Sequence, residues 1–189
     1  MDTDTFSVFA ALLALVAAAG AVGLVACRVL ADRGSRTAAD LLAAVHPVRY
    51  PLGALVAASA MGGSLWFSER AGFPPCEFCW YQRIAMYPLV VVLGVAAFRP
   101  DASARLTATI LAGVGSALAI YHIQLQQFPD QGSSCDVEAP CTAIWVEEFG
   151  FVTIPTMALA GVLAILALVW LPRPAVEDPA RDDRAVVSV

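Results

Sequence analysis

The sequence predicts an all-α membrane protein, a four-helix transmembrane bundle core plus one additional N-terminal transmembrane helix. Hydrophobic residues fill 59% and charged residues 14% of the 189 positions, and mean hydropathy is +0.73; that is too little charge to cover a water-soluble domain of this size. Five stretches approach the roughly 20 consecutive apolar residues that a bilayer asks of each helix. Apart from Arg70 and Arg83, the basic residues fall in alternate connections, as expected of loops lying on one side of a membrane.

The predicted spans are residues 6–27, 50–68, 80–98, 106–124 and 153–171, each ended by charges, Pro or polar loop residues. All basic residues are Arg. Arg28, Arg33, Arg36, Arg49, Arg99, Arg105, Arg173, Arg181 and Arg184 fall in segments that the positive-inside rule makes cytoplasmic. Asp2, Asp4, Glu69, Glu77, Asp130, Asp136, Glu138, Glu147 and Glu148 fall on the other side, with Arg70 as the exposed base there. The N-terminus is therefore expected outside and the C-terminus inside. Residues 1–30 form the additional helix, 31–49 a cytoplasmic linker, 50–171 the four-helix domain with two extracytoplasmic loops, and 172–189 a disordered cytoplasmic tail. The net charge of −5 and the apolar composition argue against a nucleic-acid partner.

Within the linker, residues 37–46 read as an amphipathic piece on the membrane interface, with Leu41, Leu42 and Val45 to one side. Residues 142–150 would likewise place Ile144, Trp145 and Phe149 on one helical face resting on the outer leaflet. Leu24-Val25-Ala26-Cys27 has the small-residue pattern that precedes a lipidated Cys, but the chain begins Met1-Asp2-Thr3-Asp4 without the basic start such a signal needs. Cys27 reads as a small apolar residue at a helix end.

The other four cysteines lie in the two outward loops, as Cys76-Glu77-Phe78-Cys79 and as Cys135 with Cys141. Both pairs face an oxidising compartment, where structural disulfides are common. For Cys135 and Cys141 a plain staple and a working disulfide are both open. Four thiolates could also bind zinc, but there is no second C-x-x-C knuckle and carboxylates flank the second pair, so no metal is expected. Haem attachment fails because Trp80, not His, follows Cys79. A C-x-x-C bridge closes so small a loop that it constrains little of the unfolded chain, which favours reactivity over stapling.

Pro74 and Pro75 stop the second span and Trp80 opens the third, so Cys79 is expected near a helix N-terminus, where N–H groups stabilise a thiolate. Arg83 follows four residues later on the same face. It reads either as a snorkelling interfacial cation or as a buried functional one. With Met86 a turn further, it would line a patch where a flat ring meets the thiolate and the guanidinium stabilises charge on a ring oxygen. His122 sits near the outer end of the fourth span, as an interfacial residue or a ligand contact.

The run Cys76-Glu77-Phe78-Cys79-Trp80-Tyr81-Gln82-Arg83, continuing through Met86-Tyr87-Pro88-Leu89, resembles the disulfide-bond-formation protein B family, DsbB and its BdbC relatives. The resemblance extends over residues 51–171. It implies an inner-membrane oxidoreductase of a bacterium that reoxidises an extracytoplasmic DsbA-like thioredoxin-fold protein and delivers the electrons to ubiquinone or menaquinone, a relay that keeps the periplasm oxidising. Carried over to this sequence, Cys135 is attacked by the partner and Cys141 is its loop mate. Cys76 exchanges with Cys141, and Cys79 engages the quinone beside Arg83, with His122 a neighbour of that site. The additional N-terminal helix and the short Cys135 to Cys141 spacing depart from the family pattern. Two alternatives remain: a vitamin K epoxide reductase relative, disfavoured because there the redox C-x-x-C follows the shuttle pair, and a non-enzymatic membrane scaffold with structural disulfides.

Overall fold

The computed structural model describes residues 2–99, 101–131, 135–136 and 138–172. Six helices account for most of it: α1 (Thr3–Asp32), α2 (Arg36–Val45), α3 (Arg49–Glu69), α4 (Glu77–Phe98), α5 (Ala102–Gln127) and α6 (Ile154–Val169). A two-stranded antiparallel hairpin, β1 (Glu147–Glu148) with β2 (Val152–Thr153), precedes α6.

Local sequence explains most of the boundaries. Side chains of Asp2, Ser35, Cys76 and Asp101 accept backbone N–H bonds in the first turns of α1, α2, α4 and α5, satisfying donors that a helix start leaves unpaired. Thr153 and Thr156 cap α6 reciprocally, with the Thr153 N–H donating to Thr156 Oγ1 at 2.6 Å. Gly34 and Gly72, at φ +94° and +72°, turn the chain after α1 and α3 in the left-handed region that glycine adopts without strain.

Helices α3, α4, α5 and α6 pack in a ring, α3 on α4, α4 on α5, α5 on α6 and α6 on α3, while α1 lies outside it against α6 and α2. The ring encloses a core centred on Ala57, Leu89, Leu93, Ala112, Val162 and Ile165. Close approach depends on small residues. A Cβ on Gly53 would stand 3.1 Å from Leu93 Cδ1, and one on Gly115 3.2 Å from Val162 Cγ1, the tight helix contact that membrane bundles use in place of a hydrophobic driving force. The outward faces stay apolar: Val16, Val22, Leu55, Ile84, Val91 and Leu106 are all exposed. In water that surface would aggregate, and in lipid it is ordinary. The chain is a multi-pass membrane protein, with four helical segments long and apolar enough to cross the bilayer.

Three expectations need correcting. The fifth stretch is helical only over the 16 residues of α6, about 24 Å at 1.5 Å per residue, because the hairpin takes its N-terminal end and Trp170 caps its C-terminal one. Trp170 is tied there by donating to Thr109 Oγ1 and by the Arg105 guanidinium over its ring. Residues 142–150 are not helical; they form turns and the hairpin, with Phe149 and Gly150 at positive φ, a conformation incompatible with a helix. Third, α4 starts at Glu77, three residues before Trp80. The amphipathic linker piece corresponds to α2, whose Leu42 joins Leu168 and Leu171 in a small inner cluster against which Cys27 packs. Cys27 is thus a packing residue within α1, not at its end. All but the first position of the C-terminal tail, 172–189, lies outside the described residues.

Candidate functional site

The early start of α4 decides the local chemistry of the C-x-x-C pair. Cys76, not Cys79, occupies the capping position, and its sulfur accepts the Cys79 backbone N–H at 3.3 Å. The two sulfurs are a dithiol 2.8 Å apart. Behind Cys76 stands His122 on α5, its Nε2 at 3.7 Å from the sulfur and 3.0 Å from the Cys141 carbonyl oxygen. A carbonyl only accepts, so Nε2 carries the proton and Nδ1 is left to accept from Gln82 Nε2 at 3.4 Å. The Cys79 thiol, first, and His122, second, hold Cys76 far below the usual thiol range, to about 4, against the opposing effect of burial. A sulfur in that condition is a thiolate at neutral pH.

Cys135 and Cys141 are disulfide-bonded, with Cα atoms 5.9 Å apart. Cys141 is fully buried and clusters with Cys76 and Leu125, while Cys135 is half-buried and packs against that cluster. Gln126 on α5 fastens the loop to α6 by donating to the Ala143 carbonyl and accepting from Thr153 Oγ1.

On the far side of the dithiol, Cys79 opens onto an apolar groove of about 580 Å3 lined also by Gln82, Arg83, Met86 and residues of α1, α3 and α6, a size typical of small-ligand sites. Arg83 is 9% exposed. Its Nε donates to Ser64 Oγ at 3.0 Å and a terminal nitrogen to the Ser64 carbonyl at 3.1 Å, and its guanidinium lies 5.0 Å from the Trp80 ring. Tyr87 adds a bond to Ser64 Oγ at 3.2 Å. The cation is thus held in place by neutral groups, leaving its charge uncompensated beside the groove among the described residues.

The predicted site residues therefore fall into two connected groups. Cys79, Arg83 and Met86 meet in the groove, whereas Cys76, Cys141 and Cys135 cluster with Leu125, Phe78 and Ala139, with His122 against Cys76 and the Cys141 carbonyl. His122 does not line the groove; it lines a separate small pocket with Cys76 and Cys79. Sequence reading missed Ser64, Gln82 and Gln126. Each is a polar side chain in or at the end of an apolar helix, where an unpartnered group is costly, so each advertises a partner without naming it. Cys76, Cys79 and His122 also place their donor atoms within 4.8 Å of one another, but with Nε2 protonated toward the Cys141 carbonyl the imidazole serves as a donor there and not as a metal ligand.

A sequence profile described as disulfide bond formation protein DsbB matches residues 48–172. The chain is 42% identical over 117 residues to a probable disulfide formation protein C 2 of Bacillus anthracis, covering 61% of this chain and 84% of that protein. It is 41% identical over 119 residues to the disulfide bond formation protein C of Bacillus subtilis, covering 62% and 86%, and 44% identical over 112 residues to a probable disulfide formation protein of Oceanobacillus iheyensis, covering 58% and 77%. No solved structure matches the chain. With two cysteine pairs joined at a membrane helix end and a family profile spanning most of the chain, this protein belongs to the DsbB family of disulfide bond formation proteins.

Proposed function

We propose that the protein is a protein-dithiol:quinone oxidoreductase of the bacterial inner membrane, oxidising an extracytoplasmic DsbA-like thioredoxin-fold partner and passing two electrons to ubiquinone or menaquinone. The cysteine loops and N-terminus face outward, as the Arg distribution supports. The observation that carries the reading is the graded burial of the four sulfurs: Cys135 half-buried at the surface, Cys141 at 0% and Cys76 at 4% exposure, and Cys79 at the wall of the groove.

That order suits a relay. A partner thiolate attacks Cys135 Sγ, breaking its bond to Cys141 and leaving the electron pair on Cys141. The Cys141 thiolate then attacks Cys76 Sγ of an oxidised Cys76–Cys79 pair, releasing Cys79 as thiolate. The partner's second thiol resolves the mixed disulfide and frees Cys135, which re-forms its bond to Cys141 and releases Cys76. The partner leaves oxidised, and the Cys76–Cys79 pair remains reduced. His122 donates to the Cys141 carbonyl and toward Cys76 Sγ, so it holds the two exchanging residues together and stabilises the anion each time Cys76 is released.

The groove fits a quinone: it is largely apolar, and Arg83 and Cys79 supply a cation and a sulfur at one end. Such a group supplies a two-electron, two-proton sink for the dithiol. Arg83 would orient a ring oxygen, Met86 would bear on the ring, and the surrounding apolar walls exclude water. Membranes containing the protein should reduce a soluble quinone analogue when given a reduced thioredoxin-fold oxidase, and Cys79→Ser should abolish this. Undiminished turnover in that variant would refute the scheme.

A further inference from the structure

Helix α1 lies outside the stretch matched by the family profile, yet it supplies one wall of the groove through Phe6, Ala10, Leu13, Ala14 and Ala17. It packs on α6 and α2, and its ring contacts with α3 are at the outer end, where Phe6 stacks on Trp66 at 3.8 Å and meets Phe67 edge-on at 5.3 Å. Phe67, Phe73 and Trp145 continue that row of rings across the outer mouth, with centroids 6.0 and 5.4 Å apart. The Ser7 hydroxyl, between the Asp4 carbonyl and the Glu148 carboxylate, pins the same end of α1 to the hairpin. The groove is therefore roofed toward the outer surface.

Below the roof the two helices diverge in chemistry from a packed interface. Gly62 and Gly63 on α3 line the groove and have no atom within 4 Å of where a Cβ would stand. Leu13, Val16 and Leu55 line it too and are 44%, 71% and 62% exposed, so its lower lip is part of the lipid-facing surface. From Phe6 to Ala17 the wall runs about 16 Å along the helix axis. The result is an apolar slot open sideways to lipid, with Arg83 and Cys79 as its charged and reactive end.

We propose that α1 and α3 form a binding slot for the polyprenyl tail of the membrane quinone, so that the additional helix guides a tailed oxidant to Cys79 and favours it over a tail-less one. This rests on the quinone reading above. A long apolar chain would meet the aliphatic lining of α1, α3 and α6, while the lid of rings keeps the reacting end from the outer solvent.

The test is Ala14→Phe on α1 and Gly63→Leu on α3, with Leu12→Phe, exposed and away from the slot, as control. Ala14 lines the slot, Gly63 has open space where a side chain would stand, and Gly63→Leu also raises helix propensity. Each is purified in detergent and its endogenous quinone extracted and quantified per mole of protein. The bound quinone should fall by about tenfold in both, as expected for overfilling a fitted cavity, and remain normal in Leu12→Phe. In vesicles, KM for ubiquinone or menaquinone with a long isoprenoid tail should rise by a similar factor while KM for tail-less benzoquinone or naphthoquinone stays unchanged. Normal quinone content in the slot variants, or equal effects on tailed and tail-less oxidants, would overturn the slot. Cys79→Ser separates the two layers: if it retains turnover the relay itself is wrong, whereas an inactive Cys79→Ser beside normal quinone content in Ala14→Phe removes only the slot.

Discussion

The two cysteine pairs are mounted differently, and the difference follows what each must meet. Cys76 caps α4 and Cys79 lies in its first turn, with the Cys79 N–H and His122 fixing the Cys76 sulfur. Cys135 and Cys141 lie in a connection whose described residues around them form no helix or strand, located by the His122 bond to the Cys141 carbonyl, by Gln126 on Ala143 and by packing on Leu125. A helix end gives the fixed geometry and anion stabilisation that electron delivery at a membrane groove requires. A loop can present one sulfur to an incoming protein while its mate stays buried beside the next acceptor.

Separating the two pairs functionally gives the largest expected effect. Cys135→Ser should lose turnover with a protein partner but keep it with a small dithiol such as dithiothreitol, small enough to reach the half-buried Cys79; Cys79→Ser should lose both. Equal loss in the two variants, measured as quinone reduction in vesicles, would erase the distinction between input and output pairs.

Arg83 sharpens the output side. Arg83→Met removes a charge-assisted contact of about 2 kcal/mol, so KM for quinone should rise about thirtyfold while thiol exchange between the partner and Cys135 continues at its normal rate. Arg83→Lys, a point charge that cannot bridge both Ser64 atoms, should recover part of the effect.

The Cys76 environment predicts a pH profile. Its lowered pKa, to about 4, means that the thiolate is populated above that value and lost as pH falls through it. Alkylation of Cys76 in the reduced protein should therefore stay fast down to about pH 5 and slow below. His122→Ala removes the second hydrogen bond and should move the midpoint upward. An unmoved midpoint would limit His122 to packing.

The smallest effect tests the loop's anchor. Thr153→Val leaves Gln126 Oε1 without its donor and should cost about 1–2 kcal/mol of stability, read as a lowered Tm in detergent, with turnover unchanged.

Much of this arrangement was legible in the residues. Apolar run length exposed the spans because a bilayer forces every backbone group to pair within its own helix, and the Cys79 to Arg83 spacing placed both on one face of α4. What escaped depended on backbone detail or on pairings between elements. The start of α4 shifted by three residues because a cysteine can itself cap a helix, which moved the favoured thiolate to Cys76. The 142–150 segment turned back as a hairpin because Phe149 and Gly150 adopt positive φ, a choice that hydrophobic spacing does not encode. Ser64, Gln82 and Gln126 could be suspected as buried polar groups, but their partners lie on other elements at separations of 19, 40 and 27 residues.

The most direct measurement is to mix oxidised protein with a reduced thioredoxin-fold oxidase, quench with acid and an alkylating agent within milliseconds, and map the transient cross-links by peptide mass. The account predicts a Cys76–Cys141 bond, with Cys79 alkylated and Cys135 joined to the partner. A Cys79–Cys141 bond, or reduction of the C-x-x-C pair with no bond between the two loops, would contradict it.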